Sequence, residues 1–192
     1  MKIRYGGKTV EFQKGLKQVE KGTELINDGN HLINDAIINA FLFTWQWWVA
    51  VLMIIVPWIL WAIFRKRESS ARLLFSVFIV MILSTTIDAL GVEYGRWAYP
   101  VKAIPIATIS YSFRYSLMPV LIMFFLQYKP NGNPFIKGIL LAGMSAYIGM
   151  PMMAMIDMYK KIDWAYTYSF FIILFLYLVA HWFSKRKSFE PL

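Results

Sequence analysis

Ionisable side chains inside apolar stretches are the first candidates for chemistry in this chain, because burying a charge in lipid is costly and is usually tied to pairing or function. Asp88 follows Ser84 and Thr85 on one helical face, and Arg114 stands between Tyr111 and Tyr115. Asp157 closes a later apolar run, and Glu93 lies just past Asp88. Together, Ser84, Asp88, Glu93, Tyr111, Arg114, Tyr115 and Asp157 form the candidate ligand or ion-pair cluster. Such a cluster has four uses: a structural Asp88–Arg114 ion pair, a seat for a polar head group, a lining for a transport path, or an acid (Asp88 or Glu93) acting on a lipid. With the third apolar run read from Ala103, Arg114 lies about 11 residues (~16 Å) inside its outer end and Asp88 about 4 residues (~6 Å) inside its own. An arginine that snorkels outward closes much of that gap.

Several chemistries are excluded. The chain has no cysteine, so thiolate–metal sites, disulfides and catalytic thiols are impossible, and with only His31 and His181 a histidine metal centre is not expected. No phosphate-binding glycine loop, Ser–His–acid arrangement or HExxH is present, so no cofactor and no catalytic residue are assigned. The run MPMMAMIDM (Met150–Met158) holds five methionines. Thioethers suit Cu(I), but adaptable packing or a greasy binding surface is the more usual role.

The elements that must position these residues follow from composition: 58% of the 192 residues are hydrophobic and 16% charged. A bilayer core needs about 20 apolar residues as a helix, and lipid offers no partner for unpaired backbone groups. The runs 41–64, 73–92, 103–128, 138–157 and 165–183 meet that length. The expected fold is all-α: an integral membrane bundle of five transmembrane helices, preceded by an N-terminal hairpin and an amphipathic helix. Arg65, Lys66, Arg67 and Arg72, then Lys129 and Lys137, then Lys185, Arg186 and Lys187 mark the cytoplasmic loops and the basic tail 184–192. The net charge of +9 thus reports topology and not nucleic-acid binding. The N-terminus is expected outside a cell membrane and the C-terminus in the cytoplasm. Six Lys/Arg in the first forty residues run against that orientation, and the polar start does not resemble a signal peptide. Trp45, Trp47 and Trp48, with Trp58 and Trp61, are placed to form two interfacial belts.

Ahead of the spans, residues 1–12 carry Gly6-Gly7 between two short β-type runs, a hairpin signal. Residues 13–40 repeat in sevens, and Gly15, Val19, Gly22, Ile26, Gly29 and Ile33 fall on one stripe. A mid-helix glycine costs about 1 kcal/mol relative to alanine. Three at one register suggest close approach of another backbone, from this bundle, a protein partner or a second copy. The alternative is a helix lying on membrane lipid.

FTWQWWVAVLMIIVPWILW (Phe43–Trp61), DALGVEYGRWAYP (Asp88–Pro100) and DWAYTYSF (Asp163–Phe170) resemble a family of small, uncharacterised multi-spanning membrane proteins of spore-forming bacilli and clostridia. That resemblance implies topology and no mechanism. A weaker similarity is to membrane lycopene cyclases: Asp88, Trp97 and Tyr99 match in order, but Pro105 is followed by Ile-Ala-Thr where those enzymes carry two carboxylates. It implies an apolar, isoprenoid-sized pocket without the acids of cyclisation. The expected role is a non-enzymatic membrane component that binds a partner or lipid-like ligand through the N-terminal helix and the polar cluster. A transporter or channel subunit, and a lipid- or isoprenoid-modifying enzyme, are the alternatives.

Overall fold

The apolar runs fold as helices. The computed structural model describes residues 4–105 and 110–186. After helix α1 (Arg4–Ala36) and a π-turn (Ile37–Phe41) come α2 (Trp45–Phe64) and α3 (Ser70–Glu93). A second π-turn (Phe113–Leu117) leads into α4 (Met118–Gln127). The span Pro134–Met155 comprises α5 (Pro134–Met144), a third π-turn (Ser145–Gly149) and α6 (Met150–Met155), and α7 is Tyr166–Ser184. Four of these spans are long and apolar enough to cross a membrane, and Phe113–Gln127 is a shorter fifth. The chain is an all-α membrane bundle.

Local sequence accounts for the ends. Thr44 caps α2 by accepting from the Trp47 amide at 3.4 Å. Asn133 caps α5 by accepting from the Phe135 amide at 2.9 Å, with Pro134 at the first helical position, where a missing N–H costs nothing. Arg65, Lys66, Arg67, Arg72, Lys129, Lys137, Lys185 and Arg186 lie toward one end of the bundle, with Arg96, Lys102, Lys160 and Lys161 in the loops at the other. Two of the first set bind carbonyls in the turn between α4 and α5. Lys137 Nζ donates to Tyr128 O at 2.7 Å, and Lys185 Nζ to Pro130 O at 3.0 Å. Gln127 ties α2 to α4 there, accepting from the Lys66 amide and donating to Phe64 O.

Seams between helices use small residues and hydroxyls. Ser112 and Ser116, one turn apart, donate at 2.8 Å to the carbonyls of Ala50 and Ile54, also one turn apart on α2. Pro119 has no N–H for the Tyr115 carbonyl four residues earlier, and that carbonyl instead accepts from Trp58 Nε1 at 2.9 Å. Trp61 is buried in the main core with Val77, Met123 and Tyr177. Trp58 and Trp61 therefore join helices, where an interfacial belt was expected. Gly138, Ala142 and Ala146 let α5 approach α7, and both alanines are fully buried.

Two sequence expectations are corrected, and one open choice is narrowed. The hairpin at 1–12 is replaced by α1, which already runs from Arg4; residues 1–3 lie outside the described residues. A lone hairpin is marginal in water, and the helix continues through Gly6-Gly7. The third span does not start at Ala103, because Ala103–Pro105 is irregular and helix begins at Tyr111. The loop is tied to the bundle and not covered by it: Val101 is buried against Ala50 and Met158 and the Ala103 carbonyl accepts from Trp47 Nε1 at 3.0 Å, while Ile104 is exposed. Finally, α1 does not pack on its own bundle; its substantial contacts are with the π-turn it enters. Of the basic tail 184–192, residues 187–192 lie outside the described residues.

Candidate functional site

Asp88 sits five residues before the end of α3, and Arg114 is in the first turns of its own helix. The late helix start brings them level, so no snorkelling is needed. Arg114 Nη2 pairs with Asp88 Oδ2, and Arg114 Nη1 donates to the carbonyls of Ser84 and Thr85 at 3.2 and 3.1 Å. Asp88 Oδ1 accepts from Trp97 Nε1 at 2.7 Å and from the Tyr99 hydroxyl at 2.6 Å. Both charged residues are buried, at 8% and 4% exposure. A buried ion pair survives only when its remaining donors and acceptors are also met, which Trp97, Tyr99 and the α3 carbonyls largely do.

The loops that carry these aromatics are clasped together. A two-residue strand β1 (Trp97–Ala98) pairs antiparallel with β2 (Lys160–Lys161), setting Trp97 opposite Lys161. An Arg96–Asp163 ion pair flanks it. Gly91 makes room for the roof: a Cβ there would lie 2.0 Å from the Trp97 ring. The clasp also places Tyr159 beside Tyr99, with ring centroids 5.9 Å apart. Burial pushes the pKa of both hydroxyls up, with Tyr159 adding to the effect on Tyr99 and Tyr166 to that on Tyr159. Both are therefore neutral hydrogen-bonding groups across the physiological range.

Beneath this roof lies a cavity of about 390 Å³ between α3, α4, α5, α6 and α7. Its polar end is Asp88, Arg114, Trp97, Tyr99 and Tyr159; its walls are apolar, with Leu121, Leu141 and Ile173 among them. Met150 and Met153, two of the five methionines of the methionine-rich run, also line it with Met144 before the run, as an adaptable apolar wall. Among the described residues no group of three His, Cys, Asp or Glu side chains comes together.

The structure brings Ser84, Asp88 and Arg114 together at the cavity. Tyr111 and Tyr115 stack on each other at 5.5 Å beside the cluster, where the Tyr115 hydroxyl accepts from Thr85 Oγ1 at 3.5 Å, but neither lines the cavity. Glu93 and Asp157 are corrected: both are exposed and outside the cluster. Asp157 instead ends α6 with φ 58°, and its carbonyl accepts from the Val101 amide at 3.3 Å. Sequence reasoning missed Tyr159 and Ser169 as lining residues, and met Trp97 and Tyr99 only through the Trp-x-Tyr step of the weaker resemblance. Comparison with protein-family models, curated proteins and solved structures finds no match to this chain.

Proposed function

We propose that this protein binds a lipid-like ligand, drawn sideways from the bilayer into the cavity beneath the Asp88–Arg114 cluster. The observation that carries this reading is the cavity: an apolar chamber with all its charged groups at one end. Its size falls within the range of small-molecule sites, roughly 300–1,000 Å³. Met144 and Ile148, one turn apart, line it and are 55% and 57% exposed on the outside of the bundle, which marks a side open to lipid. Binding fits better than catalysis, because the Asp88 carboxylate is engaged by Arg114, Trp97 and Tyr99 and is no ready proton donor. Glu93, the other acid considered, faces away. A transport path fits less well, since the chamber walls are apolar.

In this reading the N-terminus is outside a cell membrane, the basic end of the bundle is cytoplasmic, and α1 is the element that meets a protein partner or second copy. That last part has its own support: Phe12, Val19, Ile26 and Leu32 are exposed on α1, and nothing in the bundle covers them.

The test is purification from native membrane, with retained lipid identified by mass spectrometry, alongside Ser145→Phe, which places a ring in the chamber. The expected result is one class of lipid enriched with the wild type and lost from a folded Ser145→Phe protein. No enrichment, or equal retention by the variant, would overturn the reading.

A further inference from the structure

This inference rests on the cavity reading above and concerns the head group that fits beneath the roof. Asp88 and Arg114 neutralise each other in a buried site. A phosphate or carboxylate entering there must compete with Asp88 for the guanidinium, and an ammonium must compete with Arg114 for the carboxylate. Burying a charge without a counter-charge is strongly unfavourable, so the roof selects against charged heads of either sign.

Three buried polar atoms in lining residues make no hydrogen bond among the described residues: Asp88 Oδ2, which is held in the ion pair with Arg114, and the Tyr159 hydroxyl and Arg114 Nε, which are left over. Native proteins leave few such groups unmet, and a missing ligand is one reason for them. Tyr159 is 3% exposed, so bulk water does not serve it. Burial raises its pKa, which keeps it a neutral donor between about pH 6 and 9. One water takes up roughly 30 Å³ in the liquid, and a methylene needs similar room, so about 390 Å³ encloses about a dozen carbons of tail, with any remainder at the side open to lipid.

We propose that the ligand is a lipid with an uncharged, oxygen-bearing head group that accepts a hydrogen bond from the Tyr159 hydroxyl. Arg114 Nε is a second donor in the same wall.

The full chain in nanodiscs is tested with three probes of equal chain length, tetradecanol, tetradecanoate and tetradecylamine, competing against labelled tetradecanol. Tetradecanol is expected to bind about ten-fold tighter or more than either charged probe. Tyr159→Phe should weaken tetradecanol about ten-fold, the worth of one good hydrogen bond, and leave the unliganded protein's melting temperature unchanged, since that hydroxyl serves no protein partner. Charged probes binding as tightly, or Tyr159→Phe binding tetradecanol like the wild type, would overturn the head-group assignment while leaving the cavity reading standing. Saturable binding by none of the three, in a protein that still unfolds cooperatively, would overturn the cavity reading and this proposal with it.

Discussion

Glycine does opposite things in two helices of this protein. On α5, a Cβ added to Gly138 would lie 2.7 Å from Leu174 Cδ1 and 2.8 Å from Tyr177 Cδ1. On α1, a Cβ at Gly15, Gly22 or Gly29 would meet nothing within 4 Å. Both helices space small residues so that one face is shallow. In α5 the reason is inside the chain, because α7 fills the groove. In α1 any reason lies outside it. A small-residue stripe therefore leaves room for close approach, and only the packing says whether the room is filled from within the same molecule, as at Gly138.

The bundle side of this comparison breaks most sharply at its ion pair. Arg114→Met or Asp88→Asn alone should cost about 3–5 kcal/mol, because each strands a buried partner. Asp88→Leu with Arg114→Met should cost less than the sum, read from thermal unfolding in detergent. Additive losses would mean the two residues are not coupled. Next come the glycines of the bundle. Gly138→Ala should cost about 1–3 kcal/mol by overpacking. Gly91→Ala should do at least as much and also shift near-ultraviolet circular dichroism, since the Trp97 ring must leave Asp88.

The α1 side breaks differently. Replacing Gly15, Gly22 and Gly29 together by alanine should raise the helicity of the isolated chain, at about 1 kcal/mol per site. If α1 meets a partner or second copy as proposed, the same variant should weaken that assembly, measured by light scattering in detergent. Raised helicity with assembly unchanged would reduce α1 to a surface helix. The smallest effect is at Trp58. Trp58→Phe should cost about 0.5–1.5 kcal/mol through the lost bond to Tyr115 O. In a Pro119→Ala background, where a new amide can serve that carbonyl, the cost should shrink.

How much of this was legible depended on the distance over which each residue's partner had to be found. Asp88 and Arg114 stood out because a charge in an apolar run is conspicuous without any partner. The caps at Thr44 and Asn133 bind amides two or three residues on, so their chemistry is local although the sequence reading did not use it. Tyr159 carried no signal, since it reaches the cluster only through the pairing of Trp97–Ala98 with Lys160–Lys161. Ala103–Pro105 misled because an apolar loop tied to the end of a membrane bundle reads like the start of a span, and composition does not separate the two. Glu93 was near the right end of its helix but on the wrong side, which one residue of helical phase decides, and Asp157 lies past the end of α6, where a φ of 58° takes the chain off the helical path.

Phase is also what the π-turn at Phe113–Leu117 controls. It is closed by the Met118 amide bonding to Phe113 O, five residues back, and so holds one residue more than the same stretch of α-helix. Deleting one residue there would let ordinary helix close over the gap, leaving Pro119 and the rest of α4 in place. The turns on either side would keep their register, because the wide turn already absorbs the extra residue, and Arg114 would still face Asp88 provided the deletion spares it. Insertions and deletions are usually tolerated in loops and punished in helices. Here the wide turn makes one codon inside an apolar helix dispensable to the register of the polar centre, whereas a codon lost from α4 would turn everything upstream by about 100°.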